Sequence, residues 1–187
     1  MNFGLTEEQQ MIVDATRAFV ENELYPHEAE VERTGHLRAE LRHEIAQKAI
    51  AAGLYAANMP EEVGGAGLDT LTWWLYEKEL GRANYALHWT CVARPSNILM
   101  ACEGEQRDKY LFPSVRGEKS DCLAMTEPGG GSDASNLQLK ARLDGDHYVI
   151  NGEKTSITFA DRADAYVVFA RTGTPEQGAK GVSAFFI

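Results

Sequence analysis

Only three cysteines occur in 187 residues, Cys91, Cys102 and Cys122, an odd number with no Cys-x-x-Cys spacing. That set supports neither a disulfide framework nor a zinc knuckle. It points to a reducing compartment, read here as the cytoplasm. Positive charge is also scarce: 18 Lys and Arg stand against 28 Asp and Glu, for a net charge of -10 and a pI near 5.0. The basic residues form no long run, which argues against nucleic acid or an anionic membrane as a main partner. No apolar stretch approaches the roughly 18 residues of a membrane span. The acidic start, MNFGLTEEQQ, lacks the apolar centre of a signal peptide. What is present, 44% hydrophobic and 25% charged residues, is ordinary globular composition.

The first two-thirds carries helical spacing. Thr6 and Gln9 form a capping box, and Met11, Ile12, Ala15, Phe19 and Val20 recur at helical intervals until Pro26, which is expected to limit the helix. A second helix carries Leu37, Leu41, Ile45 and Ala49, with Gly53 placed to end it. NMPEEVGGAGLD (58–69) reads as a loop. Further helices are expected over 70–81 and 85–102, and a short one, EQRDKYL (105–111), stops before Pro113.

Near Lys119 the period changes. LQLKARL (137–143) alternates as a half-buried strand should. A turn at Asp144-Gly145-Asp146 leads to HYVI and then to Asn151-Gly152, the strongest two-residue hairpin signal. EKTSITF, AYVVFAR and GVSAFFI continue in β-branched and aromatic style. The fold class is therefore α+β: an all-α domain over 1–119 followed by an antiparallel β domain over 120–187. Because the sequence stops at Ile187 inside an apolar strand, the β domain is expected to be incomplete and the sequence a piece of a longer protein.

MTEPGGGSD (125–133) places three glycines between specific polar groups, close to that junction. No Lys-Ser/Thr pair follows, so a phosphate loop is excluded. Strands rather than a helix follow, so the dinucleotide fingerprint fails as well. A strand end running into amides and hydroxyls suits a flat polar ligand such as a flavin ring.

These residues carry a resemblance. AMTEPGGGSD and DGDHYVINGEKTSIT resemble signatures of the acyl-CoA dehydrogenase family, and ADAYVVFART, KGVSAFFI, GLTEEQQMI, PEEVGGAGLD, ELGRANYAL and GEQRDKYL fit the same family in order, across the whole chain. The resemblance implies a helical domain, a central β domain and a C-terminal helical bundle, of which this sequence holds the first and part of the second. It implies FAD as cofactor, an acyl-CoA substrate, an electron-transferring flavoprotein as acceptor, and a homotetramer for the intact protein.

By the same resemblance, Leu123, Met125, Thr126, Gly131 and Ser132 line the isoalloxazine ring. Thr126 bonds the pyrimidine side, and Ser132 touches both flavin and acyl-CoA. Ser156, Ile157 and Thr158 match a second flavin segment, with the Thr158 hydroxyl near N5, where a donor favours negative charge arriving on the ring. Ser156 departs from the pattern, which has a bulky aromatic there. That departure puts electron-acceptor docking, substrate geometry and FAD affinity in question.

The implied reaction is α,β-dehydrogenation of a thioester: a carboxylate removes the α-proton while the β-hydride passes to the flavin. The family's glutamate base belongs to the C-terminal bundle, so no catalytic residue is expected in this chain, and the isolated chain is expected to be inactive and to hold FAD poorly. Glu127 is read as a carboxylate that fixes its loop by accepting backbone amides. An acyl-CoA oxidase or flavin monooxygenase of the same fold, and a non-catalytic acyl-CoA-binding module, are the alternatives.

Six further residues stand out. His36 and His43 lie seven apart on one expected helical face; without a third ligand they read as surface histidines, and no metal is expected. Trp73 and Trp74 read as core or interface packing. By the family comparison Trp89 falls near the floor of the acyl pocket and would shorten it. Arg94, in an otherwise apolar helix, either meets a polar or anionic acyl group or pairs with an acid.

Overall fold

The first helix, α1 (Glu7–Phe19), starts at the capping box that the sequence signals: the Thr6 hydroxyl accepts from the Gln9 N–H, and the Gln9 side chain accepts from the Thr6 N–H, both at 3.1 Å. The computed structural model describes residues 4–92 and 94–187. Helical structure does not stop at Pro26. One π turn (Val20–Leu24) follows α1, and α2 (Tyr25–Thr34) begins directly after it, with Pro26 in its first turn. A proline lacks the N–H and crowds the carbonyl four residues back; the π turn before it widens the helix there, with the Tyr25 N–H reaching Val20 O five residues back. The same device recurs at the second proline expected to stop a helix: a π turn (Arg107–Leu111) runs into α6 (Phe112–Val115), with Pro113 in its first turn.

Between these lie α3 (Ala39–Ala51), α4 (Thr70–Leu80) and α5 (Tyr85–Cys91). Leu41, Ile45 and Ala49 of α3 are buried, and Gly53 follows its end with φ +70°. Asp69 caps α4, accepting from the Leu71 and Thr72 amides at 2.9 and 3.1 Å. The helix expected over 85–102 ends at Cys91. Pro95 cannot donate and biases the residue before it to extended backbone, so a short 3₁₀ segment (Asn97–Ala101) resumes beyond the break. His36 lies between α2 and α3 and His43 on α3, so the two do not share a helix.

The chain divides into two units, Met1–Glu118 and Lys119–Ile187. The core of the helical unit gathers Val20, Leu24, Ile45, Tyr76, Leu80, Leu87 and Cys91, each fully buried. Burying one such aliphatic side chain contributes about 1.5–3 kcal/mol. Tyr76 donates its hydroxyl to the Leu54 carbonyl at 2.6 Å, so its polar end is satisfied inside the core. Trp73 packs against that core 5.1 Å from Tyr76, whereas Trp74 is 58% exposed. Among the described residues no helix is long and apolar enough to cross a membrane.

In the second unit β4 (Ala165–Arg171) is the central strand. β5 (Val182–Phe186) runs antiparallel along one edge, Val167 opposite Phe186. β1 (Asp121–Ala124) runs parallel along the other, Asp121 opposite Ala165, and β2 (Lys140–Asp144) meets that edge further on, Lys140 opposite Arg171, also parallel. β3 (His147–Asn151) pairs antiparallel with β2 across the turn at Gly145. The sheet is thus mixed rather than antiparallel.

The cause lies in residues 152–164, where the sequence suggests a hairpin and a further strand. The structure has neither. Parallel neighbours need a long crossover, and this segment supplies one. Gly152 has φ +146°, and a Cβ there would stand 3.1 Å from Leu139 Cγ, so this glycine permits a close approach to β2 rather than a two-residue turn.

Candidate functional site

β1 alternates, with Cys122 and Ala124 in the core and Leu123 46% exposed on the outer face. Where it ends, Glu127 and Gly130 exchange main-chain hydrogen bonds at 3.1 Å, which closes a tight turn over Pro128-Gly129. Gly129 and Gly130 have nothing within 4 Å of where a Cβ would stand. No atom of the chain itself demands a glycine there. A Cβ on Gly131 would stand 3.2 Å from Thr126 Cγ2, so these two expected site residues are neighbours.

The loop is rooted by buried charge. Glu127, 8% exposed, accepts from the Gln138 N–H at 2.7 Å, the Leu139 N–H at 2.9 Å and Lys154 Nζ at 2.9 Å. Burial pushes its carboxyl up, but the Lys154 hydrogen bond and the two amides outweigh that and hold it below the ordinary carboxylate value. Glu127 therefore fixes its loop, as the sequence suggests. Lys154 Nζ also donates to the Met125 carbonyl at 2.8 Å. Arg171, 5% exposed, binds the far side of the loop: Nε donates to Leu137 O at 2.9 Å and Nη2 to Ser135 O at 2.7 Å, while Nη1 reaches Thr174 O and Gly178 O at 3.2 and 3.3 Å. Residues 128–134 hang between these two anchors.

The second expected segment lies against the first. Thr155 donates its N–H to the Thr126 carbonyl at 2.9 Å. Ser156 then adopts φ +54°, a left-handed conformation uncommon for a residue with a Cβ. Ile157 packs into the sheet core with Ala124, Leu139, Ala141 and Val168, so its side chain is not offered to a ligand. Ser132, Ser156 and Thr158 are exposed, and Met125 and Thr126 half-buried. The structure thus joins Thr126, Gly131 and the 154–158 segment in one region of one unit. Lys154 and Arg171 were not anticipated. The signal that could have found them is a lone cation in an apolar or glycine-rich context, which must bury its charge among carbonyls or a carboxylate.

Trp89 and Arg94 belong to the helical unit. Arg94 is not an unpaired cation: Nε and Nη2 hold Glu77 at 2.5 and 2.7 Å, and Nη1 donates to the Val92 carbonyl at 3.0 Å. Its guanidinium lies 4.7 Å from the Trp89 ring, which stacks on Tyr85 at 5.4 Å. Of the two readings of Arg94, the structure shows the pairing with an acid. Nor does Arg94 lie on a helix, because Pro95 has broken it.

Family models for the acyl-CoA dehydrogenase N-terminal domain and middle domain match residues 6–118 and 122–187. The chain belongs to the acyl-CoA dehydrogenase family. It is 38% identical to the short-chain specific acyl-CoA dehydrogenase of Clostridium acetobutylicum, over 100% of this chain and 49% of that protein. It is 37% identical to a 3-(aryl)acrylate reductase of Clostridium sporogenes, over 97% of this chain and 48% of that one. The structure of PigA with FAD and proline superposes with a TM-score of 0.82 at 30% identity, over 100% of this chain and 49% of that one. The chain thus spans about half the length of the relatives it matches.

Proposed function

We propose that this acyl-CoA dehydrogenase chain forms the flavin-binding wall of an FAD-dependent enzyme that oxidises the α,β bond of an acyl-CoA thioester. The observation that carries the reading is the direct contact between the two segments, Thr126 O with the Thr155 N–H and Lys154 with Met125 O and Glu127. The residues present fit a flavin. Leu123 is apolar and exposed, Thr126, Ser132 and Thr158 bring hydroxyls, and the Cβ directions of Gly129 and Gly130 are open. The structurally similar PigA is described with FAD.

A bound FAD would supply the hydride acceptor for the acyl β-carbon. The chain's own residues would orient the ring: the Thr126 and Thr158 hydroxyls would donate to its polar edge, Gly131 and Ser132 would bring the loop close, and Ser132 would also meet the acyl-CoA. Leu123 and Met125 give apolar contact, and Ser156 and Ile157 contribute main chain. Glu127 is saturated by three donors and does not abstract the α-proton. That base comes from outside this chain. In the helical unit Trp89 limits acyl length, and the Arg94–Glu77 pair fixes its ring rather than binding substrate.

The whole protein is a cytoplasmic homotetramer that passes electrons to an electron-transferring flavoprotein. Three buried free thiols support a reducing compartment. A second reading, an oxidase or monooxygenase, draws on Ser156, which is exposed and lacks a ring. Two assays decide. Anaerobic acyl-CoA oxidation with a flavoprotein acceptor is expected from the whole enzyme, whereas acyl-CoA-dependent oxygen uptake favours the second reading. The 187-residue chain alone is expected to turn nothing over; turnover by it contradicts an external base.

A further inference from the structure

Lys154 belongs to one segment and its ammonium ends in the other, at the Met125 carbonyl and the Glu127 carboxylate. Both side chains of the pair are 8% exposed. The carboxylate in turn accepts the Gln138 and Leu139 amides where the chain approaches β2. One buried point therefore fastens the start of the glycine loop, its return to the sheet and the 153–158 crossover. We propose that Lys154 is a positioning residue, which sets the register of Ser156–Thr158 against Thr126–Ser132 so that the two segments bind one flavin. The inference rests on the flavin reading of this site.

Without the ammonium, the direct tie given between the segments is the Thr155–Thr126 hydrogen bond. A single such bond is worth about tenfold or less in an equilibrium constant. It must act against the left-handed Ser156, a conformation that relaxes when its surroundings loosen. A buried ion pair whose lone pairs are already filled by amides adds little to overall stability but excludes other registers. Lys154 is thus assigned to geometry more than to folding.

The test compares the 187-residue chain with Lys154→Met, Glu127→Gln and the double variant. Amide hydrogen exchange is read across the chain, and FAD binding is followed by quenching of flavin fluorescence. The expected result is exchange at 153–158 about tenfold faster in either single variant, with β1 and β4 still protected. The FAD dissociation constant rises by about tenfold as well, and the double variant is no worse than the weaker single one, because both break one coupled pair. Exchange at 153–158 within about twofold of wild type overturns the assignment, as does unchanged FAD binding despite faster exchange. Global loss of protection in both single variants also overturns it, since the pair is then needed simply to fold. Because the isolated chain is expected to hold FAD poorly, the titration runs to a large excess of FAD; if wild type still binds none while exchange behaves as expected, the flavin reading fails and the register role stands.

Discussion

The Thr155 amide hydrogen points at the Thr126 carbonyl oxygen, 2.9 Å away, although 29 positions separate the two residues in sequence. That bond engages the Thr126 carbonyl and ties the 153–158 segment to the start of the glycine turn.

Gly129→Ala and Gly130→Ala meet no atom within 4 Å, and neither residue has a positive φ. Each is expected to change unfolding free energy by no more than about 0.5 kcal/mol while weakening FAD binding, because the added methyl enters the ligand's space. Gly152→Ala is the contrast. Its φ of +146° and the 3.1 Å approach to Leu139 predict a loss of about 1–3 kcal/mol. Urea unfolding and FAD titration of the three variants check both halves.

Glu127 titrates lower in the folded chain than in the unfolded one, where it sits near 4.5. A carboxyl shifted down adds stability that is fully present above pH of about 4.5 and is lost as pH falls through the folded value. Glu127→Gln is therefore expected to lower stability at pH 7 and to flatten its decline in acid. Unfolding midpoints measured from neutral pH into the acid range show whether the two curves converge.

Arg171→Leu removes the donor from the Ser135, Leu137 and Gly178 carbonyls and one of two from Thr174, which keeps the Gln177 N–H. A loss of about 3 kcal/mol or more is expected. Arg171→Lys recovers little of it, because an ammonium lacks the planar fork that reaches four separate oxygens. Denaturant unfolding of both variants measures the difference.

Glu77→Ala strands a guanidinium whose side chain is 8% exposed, with Glu77 itself 27% exposed. The expected cost is about 2 kcal/mol, somewhat below that of a fully buried pair. Asp144→Ala breaks the Arg142 pair, exposed at 68% and 61%, and is expected to cost about 0.5 kcal/mol or less. The gap between the two closes if Arg94 finds another acid. Thermal melts of both variants decide.

Periodicity made most of the helices legible, because Leu41, Ile45 and Ala49 face one core as their spacing requires. It could not say what each proline would do. Pro26 and Pro113 sit in first helical turns opened by a π turn, whereas Pro95 breaks its helix. The difference is tertiary: turn width depends on what the flanking side chains pack against. Asn151-Gly152 misled for a similar reason. Its glycine serves close approach to Leu139, a contact with a residue 13 positions earlier that local pairing rules do not see. Thr126, Ser132 and Thr158 are candidates because they stand in an ordered motif of the sequence. Lys154 and Arg171 bond largely to main-chain oxygens, whose positions the sequence does not specify, so a lone cation marks that it needs partners but not which ones.

The central claim, that the glycine turn and the Ser156–Thr158 segment form one flavin-binding surface, is tested most directly by mapping amide exchange with and without excess FAD. The account predicts added protection at 123–132 and 155–158, with the outer β3 strand unchanged. Protection confined to other residues, or FAD bound with both segments exchanging as before, would contradict it.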